Sequence, residues 1–213
     1  MVLIAPSILS ADFTALGREI ERLGLAEADM IHVDVMDGHF VPNLTFGPFI
    51  IEQIRHITSL HLDVHLMVNE PEKMIPWFVK AGADCLTIHV EACKKVKPVL
   101  QDIRNRGLKA GLSLRPGTPA KSLKPYLDYI DRIIVMTAEP GFGGQAFMED
   151  QLPKIKEIKA MIKGKKIEIE ADCGVSTENA KKIIKAGANI LVAGSAVFGS
   201  PDYAKNIESL RQN

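Results

Sequence analysis

Little in this sequence marks a secreted, membrane-bound or nucleic-acid-binding protein. Cysteine is scarce: Cys85, Cys93 and Cys173 form an odd set without framework spacing, which argues for a reducing compartment, the cytoplasm, rather than a disulfide scaffold. No charge of one sign dominates, since 26 basic side chains balance 26 acidic ones. Without a basic field neither a nucleic-acid partner nor an anionic membrane surface is expected, and any anionic ligand must be caught locally. No apolar run reaches membrane-spanning length, and the opening MVLIAPSIL lacks the basic segment of a signal peptide. Low-complexity linkers are missing too. What remains is 46% hydrophobic and 24% charged, enough for one large core, and residues 1–213 read as a single domain.

Short apolar runs suited to parallel strands buried on both faces recur along the chain. They are LIAPSIL (3–9), MIHVDVM (30–36), LHLDVHLMV (60–68), CLTIHVE (85–91), KAGLSL (109–114), RIIVMTAE (132–139), KIEIEAD (166–172) and ILVAGSAVF (190–198). Helix-period stretches separate them: DFTALGREIERLGL, GPFIIEQIRHI, EPEKMIPWFVKAG, KKVKPVLQDIRNRG, KSLKPYLDYI, QLPKIKEIKAMIKG and TENAKKIIKAG, with PDYAKNIESLRQ at the end. Asp12 and Thr177 are N-cap candidates, Pro71 sits early in its helix, and Gly82, Gly107, Gly164 and Gly187 fall just past helix ends. Eight such alternations predict a (β/α)₈ barrel, with a doubly wound open sheet as the alternative. Either architecture binds ligands beyond the carboxyl ends of its strands.

Polar residues at those ends are therefore the candidates. Side chains alternate along a strand, so His32, Asp34 and Met36 share one face and Asp63, His65 and Met67 share a face on the next. A single buried His or Asp is most often a hydrogen-bonded core residue. Here two neighbouring strands each bring a histidine to the same level, with Asp34 beside one and Asp172 ending the seventh strand. Imidazoles with carboxylates suit a divalent transition metal.

Glycine-rich turns supply a second signal: PGFGGQAF (140–147), ADCG (171–174) and AGS (193–195). Backbone N–H groups there can cradle a phosphate without a basic side chain, and the loops after strands seven and eight are the habitual phosphate site of this barrel. Plain tight turning is the competing reading for AGS. PGFGGQ is too long for a turn alone and reads as a mobile lid.

Five blocks of the chain, PSILSADF (6–13), HVDVMDGHFVPNLTFGP (32–48), DVHLMV (63–68), VMTAEPGFGGQAF (135–147) and VAGSAVF (192–198), resemble the motif set of the ribulose-phosphate 3-epimerase family. The resemblance runs through nearly the whole chain and implies an isomerase of carbohydrate metabolism. Such an enzyme would interconvert D-ribulose 5-phosphate and D-xylulose 5-phosphate on a TIM barrel, in the pentose phosphate or carbon-fixation routes, and would work as a homo-oligomer. The cofactor implied is one divalent cation, Zn²⁺, Fe²⁺, Mn²⁺ or Co²⁺, commonly zinc or iron. Carried over by position, His32, Asp34, His65 and Asp172 would hold the metal, with Asp34 and Asp172 as the acid/base pair. Ser7, His65, Gly141, Phe142, Gly143, Gly144, Asp172, Cys173, Gly174, Gly194 and Ser195 would meet the substrate, the last two at its phosphate. Met36, Met67 and Met136 would form a dry lining that protects an enediolate, although methionines near strand ends also serve as core filler.

Inverting carbon 3 of a 2-ketose explains the pair, because a proton must leave one face and return to the other, with one carboxylate on each side of a planar intermediate. Asp37, offset by one pleat, reads as a turn or supporting residue. The family usually has VDGG where this chain has Ala171-Asp172-Cys173-Gly174, so Cys173 adds a side chain where backbone approaches the phosphate. A negative φ would make it harmless; otherwise the phosphate contact is weakened. Ala138, often valine in the family, should alter only packing. Three rival functions remain: a 3-epimerase of a six-carbon ketose phosphate such as allulose 6-phosphate, a lyase or decarboxylase of a neighbouring barrel, and an inactive phosphosugar-binding barrel. Lyases of that kind usually place a lysine inside the barrel, whereas Lys109 only opens the fifth strand.

Overall fold

Alternating strands and helices carry the chain around a nearly closed (β/α)₈ barrel in the computed structural model, which describes residues 2–212. The strands are β1 (Leu3–Pro6), β2 (Met30–Met36), β3 (His61–Met67), β4 (Cys85–His89), β5 (Lys109–Leu114), β6 (Arg132–Met136), β7 (Glu168–Asp172) and β8 (Ile190–Ala193). The helices are α1 (Leu16–Leu25), α2 (Pro48–Ile57), α3 (Ile75–Ala81), α4 (Val96–Asn105), α5 (Leu152–Met161), α6 (Thr177–Ala186), α7 (Ser195–Phe198) and α8 (Tyr203–Arg211). All strand pairs are parallel, from β2 through β3 and onward to β8 and β1. The ring is completed where β1 meets β2, through a bridge between Ser7 and His32 and a bond from the Ile4 N–H to Asp29 Oδ2 (2.8 Å).

The period-2 alternation divides the molecule into two kinds of interior. On β2 the residues Ile31, Val33 and Val35 face outward into the main hydrophobic core, which fills the space between strands and helices. The helices present matching stripes, such as Val96, Val99, Leu100 and Ile103 on α4, all buried at helical spacing. Met30, His32, Asp34 and Met36 take the other face. Met30 joins Ala5, Ile190 and Val192 in a small separate cluster within the barrel, and above it the barrel interior is polar.

Local signals explain most boundaries. Asp12 accepts from the Thr14 N–H (2.9 Å) and caps a 3-10 turn, Phe13–Ala15, that leads into α1. Gly82 and Gly187 end α3 and α6, each donating its N–H back to the last turn. Three boundaries correct the sequence expectations. Ser176, not Thr177, caps α6, with the Asn179 side chain accepting from its N–H (2.9 Å). KSLKPYLDYI is not an α-helix: Ala120–Tyr126 is a 3-10 segment, because Pro125 cannot donate an interior helical bond. The last strand stops at Ala193, and the sequence after Gly194 forms the short α7.

Candidate metal centre and active-site cleft

Barrel strands β2, β3 and β7 set their inward side chains in layers. In the top layer β2 and β3 pair in register, Asp34 opposite His65 and Met36 opposite Met67, while β6 and β7 place Met136 opposite Asp172. His32 and His65 are wholly buried, and Asp34 and Asp172 are nearly so. Ligand atoms of these four residues all lie within 4.8 Å of one another. His32 Nε2 is 3.3 Å from Asp34 Oδ1 and 3.9 Å from Asp172 Oδ2. His65 Nδ1 is 3.6 and 3.5 Å from the same two oxygens.

Those two nitrogens are the decisive atoms, since each is buried and neither makes a hydrogen bond. An unpartnered buried polar atom is costly, and here two of them converge with two carboxylates. Two imidazole nitrogens and two carboxylate oxygens make a suitable donor set for a divalent transition ion, so the residues fit the cation that the motifs imply. The electrostatics agree. Burial opposes a proton on His32, but Asp34, Asp63 and Glu170 outweigh it and hold its pKa well above the ordinary value. Burial likewise opposes a proton on His65, yet Asp172 and Asp34 push it up to about 9. Asp34 is drawn well below the usual carboxylate range by His32 and His65 in spite of burial. The cluster is built to hold positive charge.

Beneath it lies a second group of charges. His32 Nδ1 is 2.7 Å from Asp63 Oδ2 and 3.1 Å from Glu170 Oε1. Arg132, at the start of β6, sends Nη1 to within 2.6 Å of Asp63 and 3.4 Å of Glu170, while Nη2 lies 2.9 Å from Glu168. Although His32, Asp63 and Glu170 could by themselves hold an ion, the guanidinium already supplies the cation. Burial and the neighbouring Asp63 carboxylate push Glu170 up to about 7.

Above the four candidate ligands opens a cleft of about 810 Å³, including its solvent-facing mouth. Ser7, Asp34, Met36, Met67, Met136, Gly141, Phe142, Gly143, Gly144, Asp172, Cys173, Gly174, Gly194 and Ser195 all line it; His32 and His65 form the floor below. Every candidate from the sequence is thus in one place. Ser7 does more than face a ligand, since its hydroxyl donates to Asp34 Oδ2 (2.5 Å). The cleft also includes Ser10, Gln145 and Ser176, which sequence reasoning passed over. Ser10 could have been suspected, because it follows β1 as the Gly194 turn follows β8. Its hydroxyl lies where a Cβ on Gly194 would sit, so any larger residue there has to push the Ser10 side chain aside. Gly174 is required twice over, with φ +66° and a would-be Cβ 2.6 Å from the Phe147 nitrogen. Cys173 has φ +82°, so the harmless negative φ is not what the structure has.

Asp37 stands outside the cluster: it accepts from the His39 and Phe40 N–H groups (2.8 and 2.9 Å) and from Asn69 (2.8 Å), tying its turn to the loop after β3. Lys109 is at the opposite end of the barrel, beside Glu168, and no lysine lines the cleft among the described residues. PGFGGQ arches over the mouth, with Gly141 O accepting from Asn43 Nδ2 (2.7 Å) and half-exposed Phe142 at its tip. Ala138 is buried. No helix among the described residues is long and apolar enough to cross a membrane.

Comparison with known proteins decides the family. Residues 3–198 match the model of the ribulose-phosphate 3 epimerase family. The chain belongs to that family. It is 54% identical to the ribulose-phosphate 3-epimerase of Bacillus subtilis (strain 168), covering 99% of each chain. It is 47% identical to the chloroplastic ribulose-5-phosphate-3-epimerase of Arabidopsis thaliana, covering 99% of this chain and 76% of that one. The Escherichia coli (strain K12) ribulose-phosphate 3-epimerase is 45% identical over 98% of this chain and 94% of its own. Among solved structures the barrel superposes on 3-keto-L-gulonate-6-phosphate decarboxylase from Vibrio cholerae O1 with a TM-score of 0.75, covering 99% of this chain and 95% of that one. At 15% identity that likeness concerns the fold alone.

Proposed function

We propose that this epimerase interconverts D-ribulose 5-phosphate and D-xylulose 5-phosphate by moving a proton at carbon 3 between Asp34 and Asp172. The observation that carries the reading is the meeting of these two carboxylates, from strands separated by β1 and β8, above two buried and unpartnered imidazole nitrogens. One carboxylate removes the proton from one face of the ketose and the other returns a proton to the opposite face. Ser7 fixes Asp34 through Oδ2, which leaves Oδ1 directed at the imidazoles. His32, Asp34, His65 and Asp172 would hold the divalent cation, zinc or iron before manganese or cobalt. When bound, it supplies a Lewis acid for the negative charge that develops on the ketose oxygens.

The remaining wall shapes the site around the intermediate. Met36, Met67 and Met136 are buried against the cleft and make part of its wall apolar, so water reaches the enediolate poorly. The Gly141–Gly144 segment closes over the mouth as a lid. Gly174, Gly194 and Ser195, at the turns after β7 and β8, receive the phosphate through their backbone, with Cys173 narrowing that corner. Three unpaired cysteines favour the cytoplasm. Exposed Phe49 and Trp77, on α2 and α3, are candidates for a homo-oligomer contact that sedimentation would detect.

Proton NMR of D-ribulose 5-phosphate in D₂O tests the reading directly. Metal-loaded protein should form xylulose 5-phosphate carrying deuterium at carbon 3, and chelation should stop both. Asp34→Asn and Asp172→Asn should each lower kcat by a factor of ~10²–10⁴ or more, the usual weight of a general acid or base. Exchange with only a six-carbon ketose phosphate, or turnover unaffected by chelation, would overturn it.

A further inference from the structure

The cluster uses one nitrogen of each imidazole, and the other nitrogen of His65 leads away from the cleft. His65 Nε2 is 2.9 Å from His89 Nε2, and the two rings stack with centroids 4.9 Å apart and planes 21° from parallel. His89, wholly buried at the end of β4, places its own Nδ1 3.2 Å from Glu91 Oε2. The other Glu91 oxygen accepts from the Arg115 N–H (2.9 Å) and from the Thr118 hydroxyl.

Counting protons fixes the order along this chain. Two facing Nε2 atoms need one donor and one acceptor, and once His65 has released its extra proton to bind a cation, each neutral imidazole carries a proton on only one nitrogen. If His65 donates, its Nδ1 is a bare lone pair aimed at the carboxylates of Asp34 and Asp172. His89 then accepts at Nε2, carries its proton on Nδ1 and donates to Glu91, an acceptor only. In the reverse order the His89 lone pair would face the Glu91 carboxylate, acceptor against acceptor, and the proton on His65 would cover the atom that a cation needs. The carboxylate at the end of the chain selects between the two.

We propose that Glu91 is a positioning residue: acting through His89, it locks His65 in the Nε2–H tautomer so that Nδ1 is presented to a divalent cation. The inference rests on the reading of His65 as a ligand, and it gives a function to a residue outside the cleft. Supporting partners of ligating histidines commonly govern metal affinity ~10–100-fold.

Cobalt(II) titration of the metal-free protein, followed by visible absorption and by competition with a chelator, reads the effect without reference to turnover. Glu91→Ala should weaken Co²⁺ binding ~10–100-fold. Thr118→Val removes only the loop contact; it should lower Tm and leave the cobalt affinity unchanged. Glu91→Met, closer in volume, replaces Glu91→Ala if that variant does not fold, with the same two outcomes. The proposal is overturned if the truncated variant binds Co²⁺ within about twofold of the parent, or if Thr118→Val weakens binding equally. His65→Ala separates the premise: unchanged cobalt affinity there removes His65 from the ligand set, whereas loss there with retention in Glu91→Ala removes Glu91 alone.

Discussion

The two imidazoles under the cleft are held in opposite ways. His32 is anchored from the barrel interior, where its Nδ1 meets Asp63 and Glu170 and the charge is balanced by the sealed Arg132. His65 is anchored from the rim, through a neutral ring and a carboxylate that solvent can reach, the Glu91 side chain being 23% exposed. In consequence His32 presents Nε2 and His65 presents Nδ1, each because the other nitrogen is engaged. The difference lies in what each anchor costs. A charge pair sealed in the barrel has to be complete, since ions removed from water lose several kcal/mol of hydration each, and their mutual attraction compensates only while the set is intact. An anchor at the rim keeps part of its hydration and depends less on any one partner.

Breaking the inner anchor should therefore have the largest effect on stability. Arg132→Met leaves Asp63 and Glu170 buried together without the guanidinium and should cost about 3–5 kcal/mol in urea unfolding, the usual result of removing one member of a buried ion pair. Replacing the Asp63 carboxylate by an uncharged amide offers partial relief, so the double variant Arg132→Met/Asp63→Asn should be less destabilised than the sum of the two single ones. Additive losses would mean that the three side chains are not one unit.

The outer anchor should show itself in acid. Burial works to raise Glu91, but His89 and Thr118 hold its pKa down, from 4.5 to about 2. A carboxylate whose folded pKa is depressed stabilises the protein above its unfolded pKa, and that contribution disappears as pH falls from about 4.5 to 2. At ~1.4 kcal/mol per unit the difference is at most about 3.5 kcal/mol. Comparing urea midpoints of the parent and Glu91→Gln from pH 6 down to pH 2.5 isolates it: the gap between the two proteins should narrow as the pH drops. A constant gap would assign Glu91 no charged role in folding.

Sequence periodicity carried much of this arrangement. The run MIHVDVM matches β2 residue for residue, and the two-residue spacing of His32 and Asp34 on an inward face is what brings them together. Residues defined by partners from afar were harder to read. Lys109 and Arg132 both open strands and look alike in one dimension, yet Lys109 is exposed while Arg132 is wholly buried. The available signal was that Arg132 shares its strand face with Met136, which lines the cleft. Glu91 gave less to go on, since the ring that connects it to His65 belongs to a strand whose inward face held no other candidate. The 3-10 segment at Ala120–Tyr126 was missed for a local reason: apolar spacing there resembles a helix, but Pro125 removes the bond that would continue one.

Cys173 lies next to Asp172, where neither anchor reaches, and its effect should be the smallest. At φ +82° a side chain costs about 1–2 kcal/mol of backbone strain, and glycine removes it while losing ~0.4–1 kcal/mol through the greater freedom of the unfolded chain. Cys173→Gly should thus gain on the order of 0.5–1 kcal/mol in stability. Its Cβ and thiol also occupy the wall of the cleft beside Gly174, in the corner assigned to the phosphate. Removing them should lower KM for D-ribulose 5-phosphate and leave kcat nearly unchanged, because the uniform binding of a remote phosphate changes KM alone. A KM that stays constant or rises would show that the phosphate is held elsewhere, while cobalt affinity should be the same in both proteins whichever way KM moves.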